Sequence, residues 1–309
     1  MLTTKTAVVV NPASANGLTG KRWPEIAEIM KEEGLNFDAT LTSRPGEGTV
    51  LTKRYLEQGY ELIIAVGGDG TVNEVINGFF DEQGILINKK AAFSFISTGN
   101  GRDLARTVGI SRDPREAVNH IINSVPRQVD LGRVSFNSNV GERVNRFFIN
   151  VAGLGLDGET VARVNRTTKV FGGFISFLWG TLISLLLYKN KHMSVEVDGK
   201  VVCDEPLVIA IFGNGRFFGG GMKIAPHALM DDGFFDVVIL GNLSKFNLVC
   251  NLPRVYQGTH LNHPRITSLR GKTVKIKSSD RALLNLDGEQ PGEGPVEVEI
   301  LPSALNLRA

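Results

Sequence analysis

The 309 residues suffice for one large domain or two ordinary ones, and 42% hydrophobic with 21% charged residues describe a globular chain with a full core. A net charge of +2 argues against a general nucleic-acid binder and leaves room only for a local basic patch facing a membrane surface. Two distant cysteines, Cys203 and Cys250, give neither a disulfide framework nor a zinc spacing, which suits a reducing cytoplasm.

In chain order, the apolar run Ala7–Val10 is too short for a signal-peptide core and reads as a buried strand ending at the turn Asn11-Pro12. Helical spacing follows over Trp23–Glu33, then a strand over Phe37–Thr42 and a helix over Thr49–Glu57. Leu62–Val66 is continuously apolar, as a parallel strand covered on both faces should be. A helix over Thr71–Phe80, a strand over Ala92–Ile96 and a helix over Arg115–Asn123 continue the alternation. After Asp130 the rhythm changes to short segments punctuated by Gly, Asp and Asn: 134–136, Phe147–Val151, 194–197, 207–212, 235–240, 273–277 and 296–300. The expected fold is therefore α/β plus all-β. Residues 1–132 form a mostly parallel α/β nucleotide-binding domain, and residues 133–309 form a β-sandwich whose last few residues are allowed to return to the first domain.

The stretch Val170–Tyr188 carries no charge. Its length would permit a membrane span. Its glycines and hydroxyls, and its place inside a β-domain, favour a helix packed on the sandwich. Contact with lipid is the second reading.

The 35 glycines exceed the usual share of about 7%. Five residues carry the chemistry best: Gly67-Gly68-Asp69-Gly70-Thr71, where a buried strand turns into a helix. Such a turn exposes backbone N–H groups at a helix N-terminus and lets phosphate oxygens approach without meeting a Cβ. Asp69 makes sense as an organiser of Mg²⁺ or its waters, and Thr71 as a cap or phosphate partner. As isolated glycines this would be an ordinary capped turn; the whole string after a buried strand is much rarer. Asn11-Pro12-Ala13-Ser14-Ala15 and Ser97-Thr98-Gly99-Asn100 also follow strands, and ligands of open α/β sheets bind at strand carboxyl ends. By composition alone, Asp287-Gly288 and Asp231-Asp232-Gly233 are turns.

The string from Gly67 through Val72-Asn73-Glu74 to Val75 resembles the nucleotide loop of the diacylglycerol-kinase catalytic domain family, and most closely its bacterial lipid-kinase members. The resemblance extends over nearly the whole chain. It takes in Asn11-Pro12, Thr42 before Arg44-Pro45-Gly46, Thr98-Gly99-Asn100, Val129-Asp130-Leu131-Gly132, Phe148–Gly153, the run from Gly213-Asn214 to Asp236, and Leu286-Asp287-Gly288-Glu289. It implies ATP held in an interdomain cleft by Asn11, Pro12, Ala13, Ser14, Ala15, Thr42, Gly67, Gly68, Asp69, Gly70, Thr71, Val72, Asn73, Thr98 and Glu289. It also implies Asp287 as catalytic base, supported by Asp69. A structural Mg²⁺ is implied at Asp232 with the carbonyls of Leu229 and Phe234, although the family often has Lys at the position of Leu229. Water-mediated Mg²⁺ contacts are assigned to Asp69, Asp103 and Asp130. A second departure is Gly101-Arg102, inserted before Asp103.

The function so implied is transfer of the γ-phosphate of ATP to a lipid hydroxyl, diacylglycerol being the default by family name. The expected setting is the cytoplasm, peripheral to the inner face of the membrane, with lipid substrate as partner, no nucleic acid, and a homodimer left open. A kinase of a soluble substrate such as a nicotinamide dinucleotide shares the Gly-Gly-Asp-Gly-Thr turn, and a catalytically silent lipid-binding protein is a third reading. Gly153-Leu154-Gly155-Leu156-Asp157-Gly158 also fits the G-x-G-x-x-G fingerprint of nicotinamide oxidoreductases. That fingerprint wants an acidic residue about 20 positions on, and none occurs from Val161 to Val195.

Overall fold

The structure, a computed structural model, describes residues 4–167 and 183–309. Two compact units emerge: Met1–Val129 together with Ser303–Ala309, and Asp130–Pro302. The boundary expected from sequence, at residue 132, stands three residues beyond this division.

The first unit alternates β1 (Thr6–Val10), α1 (Leu18–Glu32), β2 (Phe37–Leu41), α2 (Glu47–Glu57), β3 (Leu62–Gly67), α3 (Asp69–Asn77) and β4 (Ala92–Ser97), then α4 (Asp103–Val108) and α5 (Pro114–Asn123). Its strands run parallel in the order β2-β1-β3-β4, and Asn306 and Leu307 add a fifth beside Ala92 and Phe93. On one face Val8, Val10, Ile64, Val66 and Ile96 pack with Ile26 and Met30 of α1 and with Val118 and Ile121 of α5. On the other, Phe93 stacks on Phe95 and meets the edge of Phe79. With both faces covered, β1 and β3 need an unbroken apolar sequence. Helix α1 begins five residues before Trp23, and α4 carries no apolar period long enough to announce it.

The second unit begins inside β5 (Arg127–Ser138) and continues through β6 (Arg143–Phe148), β7 (Val151–Gly155), α6 (Leu156–Thr167), β8 (Lys191–Val197), β9 (Lys200–Leu207), β10 (Ile209–Gly213) and β11 (Phe235–Leu240). Helix α7 (Lys245–Gln257), β12 (Ile266–Gly271), β13 (Thr273–Ser278), β14 (Leu283–Leu286) and β15 (Glu289–Leu307) complete it. One layer runs β12-β11-β10-β7-β14-β15; β13, β8 and β9 follow on from β15, and β5 and β6 pair beside it. Inward residues of both layers, among them Phe136, Phe148, Phe212, Phe235, Val274 and Leu284, form one core, so this unit is a β-sandwich.

The expected strand Phe147–Val151 is two strands, broken at Ile149-Asn150. The amides there do not join a ladder because they donate to Asp287, as described below. Neither α6 nor α7 was foreseen. Of the apolar stretch 170–188, residues 170–182 lie outside the described residues; 183–187 are helical, with Ser184 and Leu185 buried and Leu186 and Leu187 exposed. Among the described residues, no helix is long and apolar enough to cross a membrane.

Candidate active site

In the first unit three turns converge at the carboxyl ends of β1, β3 and β4. The Asn11 amide donates to Oγ1 of Thr71 at 3.0 Å, and its carbonyl oxygen accepts the Ala13 N–H at 3.1 Å. The Asn11 N–H donates to Val66 O, and the Thr98 N–H to Gly67 O. Thr19 and Thr98 share a hydroxyl–hydroxyl hydrogen bond of 2.6 Å. The glycine loop thus has a neighbouring turn fastened to it on each side.

Close approach explains the glycines. A Cβ on Gly99 would stand 2.8 Å from the Cα of Gly68, and one on Gly68 would meet Oγ of Ser14 at 3.2 Å. One on Gly67 would overlap Thr71, the residue held by Asn11. After Asn11-Pro12, Ala15, Asn16 and Gly17 all have positive φ, and the Gly17 N–H closes this tight turn on Ala13 O at 3.1 Å. Thr42, at the end of β2, is tied to Val10 O through its N–H at 2.8 Å. Glu74, one turn into α3, accepts the N–H groups of Gly46 and Gly48 at 2.7 and 3.0 Å. It thereby caps α2, whose own Gly46 has no side chain to do so. The family resemblance, which spans Glu74, implies no such role for it.

The Gly101-Arg102 insertion has a definite geometry. A Cβ on Gly101 would stand 2.6 Å from one oxygen of Asp69 and 3.8 Å from one of Asp103, so both carboxylates face this glycine. Arg102 adopts positive φ and is buried; its guanidinium donates to Ile110 O at 3.0 Å. Burial lowers its pKa, repulsion from Arg112 and Arg106 lowers it further, and attraction to Asp69 opposes them. Asp103 is ion-paired with Arg106 at 3.0 Å. Arg106 pairs with Oδ1 of Asp103, so the Oδ2 atoms of Asp69 and Asp103 that face Gly101 are hard oxygen donors of the kind Mg²⁺ or its waters take. Asp130 belongs to the second unit, where its carboxylate accepts the Gly233 N–H at 2.7 Å. This hydrogen bond places it at the 231–234 turn.

In the second unit Asp287 and Gly288 both have positive φ, as the central residues of a type I′ hairpin between β14 and β15 require. Asp287 is buried, and its carboxylate accepts the N–H groups of Ile149, Asn150 and Val151, each at 3.0 Å. Three amide donors compensate a charge that burial alone would make costly. The Asn285 side chain accepts the Gly288 N–H, fixing the turn from beneath. Asn214, fully buried, donates to Asp130 O at 2.9 Å and Ile149 O at 2.6 Å. It ties the Asp130 strand to the segment that holds Asp287. Glu289 is ion-paired with Arg146 at 3.1 Å.

The expected magnesium site at Asp232 looks different. One oxygen of Asp232 is ion-paired with Arg270; the other accepts the Phe234 N–H at 3.1 Å. Arg270 also lies 4.6 Å from the centre of the Phe234 ring, with Lys272 at 5.0 Å. Burial pushes the neighbouring Asp236 carboxyl up, and the same guanidinium opposes the shift. The chain itself therefore supplies the cation, and the set Leu229, Asp232, Phe234 does not fit a metal unless Arg270 is displaced. Among the described residues, no cluster of three or more His, Cys, Asp or Glu could hold a metal ion.

The G-x-G-x-x-G string folds as no dinucleotide site. Its first half is β7, antiparallel to both β10 and β14, whereas the fingerprint needs a parallel βαβ unit. Asp157 is buried at the start of α6 and sits over Gly153, where any Cβ would collide with it. Neither of its oxygens has a hydrogen-bond partner of good geometry. Burial pushes its pKa up to about 7, against weaker opposing effects of the Gly158 amide and Asn285.

Comparison with known proteins adds to this geometry. Residues 5–134 match the diacylglycerol kinase catalytic domain, and residues 150–309 match the YegS C-terminal NAD kinase beta sandwich-like domain. A protein named diacylglycerol kinase from Staphylococcus carnosus (strain TM300) is 30% identical over 290 residues, covering 93% of this chain and 89% of its own length. One of the same name from Bacillus subtilis (strain 168) is 30% identical over 293 residues, covering 94% and 91%. Among solved structures, that of a candidate diacylglycerol kinase from Bacillus anthracis str. Sterne superposes with a TM-score of 0.76 at 22% identity, covering 98% of this chain and 97% of that one.

Proposed function

This chain belongs to the diacylglycerol kinase catalytic domain family and is an ATP-dependent kinase, and from that premise we propose that it phosphorylates the hydroxyl of a lipid alcohol, diacylglycerol or a close relative. The observation that carries the reading is the convergence of the Asn11, Gly67–Thr71 and Thr98 turns, pressed together through Gly68 and Gly99. The turn after Asn11 and the amides of the glycine loop hold the ATP phosphates, with Thr42 at the margin and Asn73 buried behind the loop in α3. Asp69 and Asp103 would hold the magnesium that accompanies ATP. When bound, that ion would neutralise phosphate charge.

The lipid hydroxyl oxygen bonds to the γ-phosphorus while the bond from that phosphorus to the β,γ-bridging oxygen breaks; ADP leaves, and the hydroxyl proton passes to Asp287. A carboxylate is a weak base at neutral pH, so the transfer comes late, as a loose transition state permits. Three amide donors and the I′ turn keep the carboxylate in one orientation. Glu289, paired with Arg146, orients that residue beside the turn. Asp130 acts by positioning the 231–234 turn.

The test is incubation of the purified chain with labelled ATP, Mg²⁺ and a total lipid extract. Label should appear in the organic phase and identify the acceptor. Label confined to an aqueous product would point to a soluble substrate and overturn the proposal. So would no transfer at all.

A further inference from the structure

Helix α7 presents an apolar stripe outward. Leu248 and Val255 pack on the cluster of Val208, Ile224, Ala225 and Leu243, so one face is accounted for. The helix is started by Ser244, whose hydroxyl accepts the Asn247 N–H, and is ended by Gly258 at positive φ. On the opposite side Phe246, Val249, Cys250 and Pro253 recur at helical spacing, and all are exposed, Phe246 at 77% and Val249 at 41%. At about 100° per residue, Lys245 and Arg254 fall on the two flanks of this stripe.

A second exposed apolar pair lies alongside. Leu186 and Leu187 are 51% and 60% exposed at the end of the helical residues 183–187. Nζ of Lys245 donates to Leu186 O. The Asn190 amide donates to Oδ1 of Asn242 at 2.7 Å and to Leu243 O at 3.3 Å. The two helix ends are thus pinned together. Lys189 and Lys191 follow Leu187 in sequence, and Arg265 O accepts the Gly241 N–H at 2.9 Å just before α7.

The two sequence segments that carry this surface are short of acids. No Asp or Glu occurs between Glu159 and Glu196, or between Asp236 and Asp280. An ordinary solvated helix mixes both signs. In space Glu205 reaches Gly241 and Asp280 accepts the His192 N–H, so acids border the anchor, but α7 itself carries only Lys245 and Arg254 as charges. Large apolar side chains flanked by cations on an acid-free helix match the interfacial region of an anionic bilayer, where rings enter the acyl boundary and ammonium and guanidinium groups meet headgroup phosphates.

We propose that the Phe246–Val249–Pro253 face of α7, with Leu186 and Leu187, is the surface by which this chain lies on an anionic lipid bilayer to collect its substrate. The inference rests on the lipid-kinase reading for its purpose, although its first measurement needs no ATP. Apolar insertion supplies the hold and the rim lysines and arginines the preference for anionic lipid.

The experiment is flotation of the full chain with vesicles of phosphatidylcholine, alone or mixed with phosphatidylglycerol. The wild type should float with the mixed vesicles, and binding should weaken in high salt. The double variant Phe246→Glu, Val249→Glu should bind them about tenfold less or worse, since it removes insertion and adds like charge to the headgroups. Both positions are exposed, so the fold should tolerate it; Lys245→Glu with Arg254→Glu is the second variant and should lose the anionic preference. Both variants should phosphorylate lipid in detergent micelles at the wild-type rate and lipid in vesicles at least about tenfold more slowly. Undiminished flotation of both variants would overturn the proposal. So would a wild type that never floats, or a Glu variant that only converts a dimer into a monomer. Flotation lost in the variants, with no lipid phosphorylated even by the wild type, would uphold the surface and sink the kinase reading.

Discussion

The guanidinium of Arg270 is ion-paired with the carboxylate of Asp232 in the turn that Asp130 fastens through Gly233. A cation from the chain thus sits on the oxygen that the family resemblance assigned to a structural magnesium. The ATP-free protein should melt at the same temperature in Mg²⁺ and in EDTA. Arg270→Met should lower the melting temperature by about 2–4 °C, the effect of roughly 1 kcal/mol from a partly screened pair in a chain of this size. Only in that variant should Mg²⁺ recover part of the loss. A wild type stabilised by Mg²⁺ without ATP would show that metal displaces Arg270.

Gly99 lies against Gly68 because neither has a Cβ. Gly99→Ala places a methyl 2.8 Å from the Gly68 Cα and must part the two turns. ATP affinity should fall by about tenfold or more, the effect of 1.4 kcal/mol. Titration with a fluorescent ATP analogue measures this, and unchanged affinity would remove these turns from the phosphate site.

Asp287 has a structural and a chemical duty, and a variant must separate them. Asp287→Asn sets an amide group where three N–H donors converge, so stability should drop by about 1–3 kcal/mol. Turnover well below the new melting temperature should fall by about 10²-fold or more if the carboxylate takes the hydroxyl proton. ATP binding should persist. Near-normal turnover in a folded variant would assign the base elsewhere.

Asp157 gives stability a pH dependence. Its pKa is pushed up to about 7 in the folded chain by burial, from an ordinary value of 3.8. Between those values the folded state holds a proton that the unfolded state has lost, so this group's effect is to lower stability as pH rises through the window. Asp157→Asn should raise the melting temperature at pH 8 by at least about 3 °C and change it little near pH 4. Equal curves at pH 8 would mean that the carboxylate is ionised and compensated there.

The parallel strands were legible because burial on both faces leaves an unbroken apolar run, as in Leu62–Val66. The glycine loop was legible because its residues are consecutive. What escaped depends on partners far along the chain. The break at Ile149-Asn150 exists because of Asp287, and no local pattern announces it. Arg270 reads as one more surface cation until the fold sets it on Asp232. Glu74 reads as helix surface, yet its oxygens cap a different helix. Helix α7 is apolar on two sides, which blurs the single stripe by which a surface helix is recognised.

The return of the chain to the first unit sets an order of assembly. Asn306 and Leu307 lie beside Ala92 and Phe93, Ser94 donates to Arg308 O, and Arg308 donates to Ile121 O and Ile122 O. During synthesis the ribosome must therefore complete 173 residues of sandwich (Asp130 through Pro302) before the nucleotide sheet receives its last strand. A fragment ending at Val129 would carry β4 as a bare edge, an invitation to pair with other chains. The nucleotide unit is thus an interrupted gene product, and cutting it out for study calls for a splice from residue 129 to residue 303 instead of a truncation.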